Sequence, residues 1–97
     1  MLTSKQRSTL RSIASNIEPI TQVGKLGVND AFIDGLDKAL EKRELVKVTV
    51  LENSGETPKD VGFIIAEKLG AEFVCATGRK LVFYRRSKSA KVEHIEV

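Results

Sequence analysis

Helical and strand-like patterns alternate along the whole chain, and this alternation restricts the fold more than any other feature of the sequence. Apolar residues recur at helical spacing in three stretches, the first of which contains Leu10, Ile13, Ala14 and Ile17. The β-rich runs fall at 20–23, 45–51, 73–77 and 81–85. The order is therefore α-β-α-β-α-β-β, and each β-α-β link is long enough for a right-handed parallel crossover.

The last two β runs flank Gly78-Arg79-Lys80, a spacing typical of a hairpin, so the final strand adds an antiparallel neighbour. The segment Val82-Phe83-Tyr84 is apolar without alternation, which is typical of a central strand that is buried on both faces. The sequence therefore predicts a two-layer α/β fold, a four-stranded mixed sheet with the helices packed on one face.

Residues that commonly cap helices stand where the three helices are expected to begin. These residues are Thr3 with Gln6, Asn29, and Thr57 followed by Pro58. Gly70 is expected to end the third helix, because glycine readily adopts the left-handed conformation found there.

The length of 97 residues fits one domain. Apolar residues make up 41% of the chain and charged residues 30%, which is typical of a folded globular protein. We expect a single domain over residues 1–87. Residues 88–97 are polar and charged, and we expect them to form a flexible tail.

The composition argues against several classes of function. The single cysteine, Cys75, excludes an internal disulfide, and with the single histidine, His94, it cannot supply a histidine-rich metal site or a His-based catalytic triad. No apolar run approaches the ~20 residues of a membrane span, and the N-terminus lacks the apolar core of a signal peptide. We therefore expect a cytoplasmic protein that is not an enzyme and uses no metal or cofactor.

Positive charge is concentrated at both ends of the chain. Residues 1–27 carry a net charge of +3, residues 28–70 carry −3 and residues 71–97 carry +3, which gives the overall +3. If the fold brings the two basic ends together, they form a cationic face suited to a polyanion. The alternative is charge scattered over the surface for solubility, and composition alone does not choose between the two.

The segment Gly24-Lys25-Leu26-Gly27 separates a short β run from a helix start. A Gly-x-x-Gly turn exposes backbone N–H groups, and the positive end of the helix lies just behind it, so the pattern suits a phosphodiester backbone. A KH domain clamps RNA with such a loop. The segment lacks the spacing of a P-loop or of a dinucleotide-binding motif. Asp30 is a counter-indication, because an acid in the first turn already complements the helix dipole.

Three motifs in order resemble the YhbY-like family, whose unit is the CRM (chloroplast RNA splicing and ribosome maturation) domain. They are Gly24-Lys25-Leu26-Gly27, the passage Ala39-Leu40-Glu41 with Glu44-Leu45-Val46-Lys47-Val48, and Phe83-Tyr84-Arg85. The resemblance covers about residues 3–87 and implies a fold like the C-terminal domain of translation initiation factor three, with strand order 1-2-4-3. It also implies RNA binding and, for stand-alone bacterial members, association with precursors of the large ribosomal subunit.

On this resemblance we expect RNA, specifically ribosomal RNA in pre-ribosomal particles, as the partner of a monomeric protein, with no DNA and no membrane. The candidate RNA-binding residues are Gly24, Lys25, Leu26, Gly27, Arg7, Arg11, Arg85 and Arg86. Arg85 and Arg86 alternate along a strand, so only one of them can point to a given face.

Two other readings stay open. In the first, the chain is an adaptor that binds basic ribosomal proteins through an acidic helix face formed by Asp34, Asp37 and Glu41. In the second, it is an enzyme acting on a phosphorylated substrate; this is the weakest reading, because no general base, nucleophile or metal cluster is assembled. Salt dependence separates RNA binding from both alternatives.

Overall fold

The computed structural model describes residues 2–25, 27–52, 55, 57–88 and 94–95. Its elements are α1 Ser4–Ala14, β1 Thr21–Val23, α2 Asp30–Arg43, β2 Leu45–Val50, α3 Pro58–Leu69, β3 Glu72–Thr77 and β4 Lys80–Tyr84. The strands form one sheet in the order β1-β2-β4-β3, with β1 and β2 parallel and β4 antiparallel to both of its neighbours. The predicted element order, strand order and mixed four-stranded sheet are confirmed.

The predicted caps stand at the three helix starts. The Thr3 side chain accepts from the Gln6 amide while the Gln6 side chain accepts from the Thr3 amide, which completes the capping box of α1. The Asn29 side chain accepts from the Phe32 amide at 2.8 Å at the start of α2. Thr57 differs, because its hydroxyl donates to a carboxylate oxygen of Asp60 at 2.6 Å and makes no cap bond to the backbone.

The helices cover both faces of the sheet, and the expectation that they share one face is wrong. The core between the sheet and helices α2 and α3 contains Leu36, Leu40, Val46, Val48, Val50, Ile65, Leu81 and Phe83, among others. The second cluster, under α1, contains Leu10, Ala14, Leu45, Val74, Val82 and Tyr84. Helix α1 has its own apolar stripe, and it buries that stripe against the face that α2 and α3 leave open.

Strand β4 occupies the central position that its unbroken apolar run predicts. Leu81 and Phe83 point into the core under α2 and α3, while Val82 and Tyr84 point towards α1. Tyr84 is only 8% exposed, so it is a core residue and is not placed to stack on a base.

A buried carboxylate holds the chain that follows β4. The Glu44 side chain has no exposed surface; it accepts hydrogen bonds from the backbone amides of Ser87 and Ile95 at 2.6 and 2.7 Å and contacts Nδ1 of His94. In the segment 88–97, whose predicted state is a flexible tail, His94 and Ile95 therefore contact Glu44, the residue that caps the C-terminus of α2, and the Lys88 amide donates to Glu41 of α2. Apart from its first residue, the rest of that segment lies outside the described residues.

Candidate nucleic-acid interface

The glycine loop, residues 24–27, lies on the surface between edge strand β1 and the start of α2. The amide of Gly27 donates to the carbonyl of Gly24 at 2.9 Å and closes the turn. Lys25 at the tip is exposed, and no carboxylate of the described residues pairs with it. Leu26 lies outside the described residues. The loop therefore presents a free cation, while the N–H of Gly27 is used within the turn.

The two glycines of the loop serve different purposes. Gly27 has φ +68°, a left-handed conformation that strains any residue with a Cβ atom. Gly24 has no such φ, and a Cβ at this position would meet only Leu51 Cδ1 at 3.7 Å, an ordinary contact. Gly27 is thus required by the turn. The absence of a side chain at Gly24 leaves room for a ligand.

A shallow depression of about 310 Å³ adjoins the loop. Its lining residues are Gln22, Gly24, Lys25, Gly27, Asn29 and Phe32. Asp30 is exposed in the first turn of α2 and partly offsets the positive end of that helix. With one lysine, two amide side chains and no enclosed volume, this surface offers donors of the kind that suit a phosphate group.

Arg7 is committed to the fold. Its guanidinium donates to the carbonyls of Phe73 and Val74 at 2.6 and 2.7 Å, where the register between β3 and β4 shifts. Such an irregularity disrupts the strand ladder, so a side-chain donor is needed there. The arginine therefore fastens α1 to β3.

Arg85 is also committed to internal contacts. Its guanidinium bonds the Asp37 carboxylate at 2.7 Å and the carbonyls of Leu69 and Asp37 at 2.9 and 3.0 Å, and only 16% of the side chain is exposed. Glu41 lies 3.6 Å away. These contacts tie the end of β4 to α2 and α3. The neighbouring Arg86 is exposed, so it is the one whose charge is available to a ligand.

The fold does not gather all the predicted basic residues at the glycine loop. Tyr84 pairs with Leu45 at the start of β2, whereas Val23 pairs with Val50 at its end. Five residue-to-residue steps along β2 separate these positions, roughly 17 Å at 3.3–3.4 Å per step. Arg86 therefore lies at the end of the sheet opposite the loop.

Arg11 is brought together with two lysines that were not among the candidates. Arg11 is exposed on α1 and lines a groove with Lys47 of β2 and Lys80 of β4. The sequence held a clue to Lys47, because alternation places it on the face opposite Val46 and Val48. Lys80 could not have been found in this way, because it lies where a hairpin turn was expected.

The acidic face of α2 is largely used by the protein itself. Asp37 and Glu41 contact Arg85, and Glu41 also accepts from the hydroxyl and the amide that follow β4, at Ser87 and Lys88. Asp34 pairs with Lys38 one helical turn away at 3.1 Å. Little unpaired acid remains there for a basic partner, which weakens the adaptor reading.

Within the part of the chain that the structure describes, no three His, Cys, Asp or Glu side chains are grouped so that they could hold a metal ion. Over the same residues no helix is both long enough and apolar enough to cross a membrane.

Known proteins resemble this chain over almost its full length. The chain is 45% identical over 91 residues to "Probable RNA-binding protein YqeI" of Bacillus subtilis, an alignment that covers 94% of this chain and 95% of the relative. It is 30% identical over 92 residues to a Haemophilus influenzae protein named "RNA-binding protein", covering 95% and 93% of the two chains.

A solved structure agrees with the fold described above. The solution structure of a Staphylococcus aureus protein, suggested to bind RNA, superposes with a TM-score of 0.75 at 41% identity and covers 96% of this chain and 98% of that one. The model of the CRS1/YhbY (CRM) domain matches residues 2–85. The chain belongs to the CRS1/YhbY (CRM) domain family.

Proposed function

We propose that this chain is a non-catalytic RNA-binding protein that holds the sugar-phosphate backbone at the glycine loop. The observation that carries the proposal is the exposed turn itself, directly before the positive end of α2, with no side chain at Gly24 or Gly27 and with a Lys25 that pairs with none of the described carboxylates. The RNA-binding names of two relatives aligned over more than nine-tenths of their length support RNA as the ligand.

The predicted basic residues take different roles in this proposal. Lys25 contacts a phosphate, Leu26 offers apolar surface to a sugar or base, and the exposed Arg11 and Arg86 extend the contact. Arg7 and Arg85 act indirectly by fixing α1 and α2 on the sheet, because their guanidinium groups already donate to internal acceptors. These two arginines should influence RNA affinity only through the stability of the fold.

We further propose that the RNA is ribosomal RNA in precursors of the large subunit, and that the protein acts in ribosome assembly as a cytoplasmic monomer. The three motifs shared with the YhbY-like family support this assignment. Sedimentation of lysate through a sucrose gradient tests it. The protein should migrate with large-subunit precursors and return to the top of the gradient after ribonuclease treatment; co-migration that survives ribonuclease would favour the adaptor reading.

The Lys25→Ala variant tests the contact at the loop. Removing one phosphate contact should weaken binding to protein-free ribosomal RNA. It should also make the negative slope of log K against log salt shallower by about 0.7 to 0.9. The matched control is Lys68→Ala, which removes the same charge from the exposed side of α3. Equal affinity and slope for the two variants would refute the contact at Lys25.

A further inference from the structure

A groove that is separate from the glycine loop lies between α1 and the sheet. It has a volume of about 310 Å³ and is lined by Arg11, Ala14, Ser15, Lys47, Cys75, Thr77, Lys80 and Val82. This volume lies at the lower end of the range for small-ligand pockets, so the groove has room for a group the size of a nucleotide. The buried Ala14 and Val82 contribute apolar lining, and Arg11, Lys47 and Lys80 contribute the cations.

All the charged side chains that line the groove, over the residues that the structure describes, are positive. Lys47 donates one hydrogen bond to the Ile17 carbonyl at 3.2 Å, and Arg11 and Lys80 are exposed. None of the described carboxylates lines the groove or forms an ion pair with these three cations. Three neighbouring cations without counter-charges attract a polyanion.

The groove lies on a continuous surface with the glycine loop. Gln22 lines the depression at the loop and also the next depression along the sheet, which it shares with Thr49. Thr49 pairs in register with Lys80, and Lys80 lines the groove. From β1 to β3 the path crosses three strand spacings, about 14 Å. A single-stranded RNA bound at Lys25 can therefore extend along the protein surface into the groove.

We propose that the groove between α1 and the sheet is a second contact site for the RNA backbone, bound through Arg11, Lys47 and Lys80. The RNA strand runs from the glycine loop over Gln22 and Thr49 into the groove. The inference rests on the proposed function, since it takes the same RNA as ligand. It adds two lysines that the loop motif does not contain.

Cys75 provides a direct test, because it lines the groove and is the only cysteine of the chain. Burial raises the pKa of the Cys75 thiol above its ordinary value, although Arg11 and Lys47 oppose the rise, so labelling rates are compared at one fixed pH. Protein-free ribosomal RNA at a concentration about ten times the Kd of the complex should slow maleimide labelling of Cys75 about tenfold. The reason is that Cys75 reacts only in the protein that has no RNA bound.

Two controls define what protection means. A Cys75→Ser/Glu67→Cys variant carries its thiol on the exposed side of α3 and should label at the same rate with or without RNA. Poly-glutamate at matched charge concentration should protect Cys75 far less than RNA does. Equal protection by poly-glutamate would mean that the groove attracts any polyanion and would overturn the proposal.

Substitutions give an independent measure. The double variant Arg11→Ala/Lys80→Ala should make the negative slope of log K against log salt shallower by about 1.4, because two phosphate contacts are lost. The control Lys59→Ala/Lys68→Ala on α3 should leave this slope unchanged. If RNA binds and depends on Lys25, but Cys75 stays unprotected and both double variants behave alike, the groove is refuted and the proposed function stands. If RNA does not bind at all, both fail. The protection measurement uses the unaltered chain, so it does not depend on the folding of a variant.

Discussion

Gly24 and Gly27 bracket the same loop but differ in backbone conformation, so the two alanine substitutions should have different effects. Gly27→Ala places a Cβ at φ +68° and should cost about 1–2 kcal/mol of unfolding free energy. Gly24→Ala makes only an ordinary contact at 3.7 Å and should change that free energy by less than about 1 kcal/mol. Urea unfolding measures both.

RNA affinity then separates structure from binding at these positions. Gly24→Ala should weaken RNA binding while the fold keeps its stability, because the added methyl group occupies the space that the backbone of the ligand needs. An unchanged affinity in this folded variant would count against close approach at the loop.

Glu44 should make stability depend on acid pH. Burial alone would raise its pKa, but the hydrogen bonds with His94, Ser87 and Ile95 outweigh burial and hold the pKa below its ordinary 4.5. A lowered pKa means that the ionised carboxylate stabilises the fold fully above about pH 4.5 and that this contribution is lost as pH falls through the folded-state value.

The variant Glu44→Gln therefore should be less stable than the unaltered protein at about pH 7, and the difference should shrink towards about pH 3. Urea unfolding across this range provides the measurement, and Glu67→Gln, on the exposed side of α3, is the control. A difference that stays constant with pH would show that the charge of Glu44 does not contribute.

The roles of the individual arginines could not be predicted from the sequence. Arg7, Arg11, Arg85 and Arg86 all read as surface cations at helical or strand spacing. The structure divides them by partners that lie far away in the chain, such as Asp37, 48 residues from its arginine. Local periodicity carries no information on such contacts, so an engaged arginine cannot be distinguished from a free one.

Helix α3 approaches the sheet closely at Gly62, and this sets it apart from α2. A Cβ at Gly62 would lie 2.5 Å from the ring of Phe73, whereas a Cβ at Gly35 of α2 would meet nothing within 4 Å. Gly62→Ala should therefore destabilise the protein by about 1–3 kcal/mol through overpacking, despite the better helix propensity of alanine.

The matched substitution should have the opposite sign. Gly35→Ala should stabilise the protein by about 0.5–1 kcal/mol, because alanine is favoured inside helices and nothing obstructs it. Thermal and urea unfolding of both variants check the pair. Similar effects of the two substitutions would mean that α3 does not pack on Phe73 as described.

The elements and their order were predictable because caps, apolar stripes and β runs are local properties. Strand β4 was also recognisable as central, because Val82-Phe83-Tyr84 lacks alternation. The face occupied by α1 was not predictable. An amphipathic stripe states that a helix must bury one side, but it does not state which face of the sheet receives it.

At the scale of the whole molecule, the exposed cations from the two basic ends of the chain lie in two separate regions of the surface. The end of the sheet near Lys25 is continuous with the groove that holds Arg11 and Lys80, whereas Arg86 lies at the opposite end. Net charge by segment could not anticipate this division, because it depends on the antiparallel direction of β4. The candidate loop itself was recognised from its glycine spacing and from the family resemblance.

RNA is proposed to contact the protein backbone at the glycine loop. Backbone amide NMR shifts during an RNA titration test this contact most directly. We expect the amides of Gly24, Lys25 and Gly27 to shift or broaden most, followed by those around Lys80, while the exposed side of α3 stays unchanged. Perturbations confined to α3 or to the end of the sheet at Arg86, with the loop amides unmoved, would contradict the proposed contact.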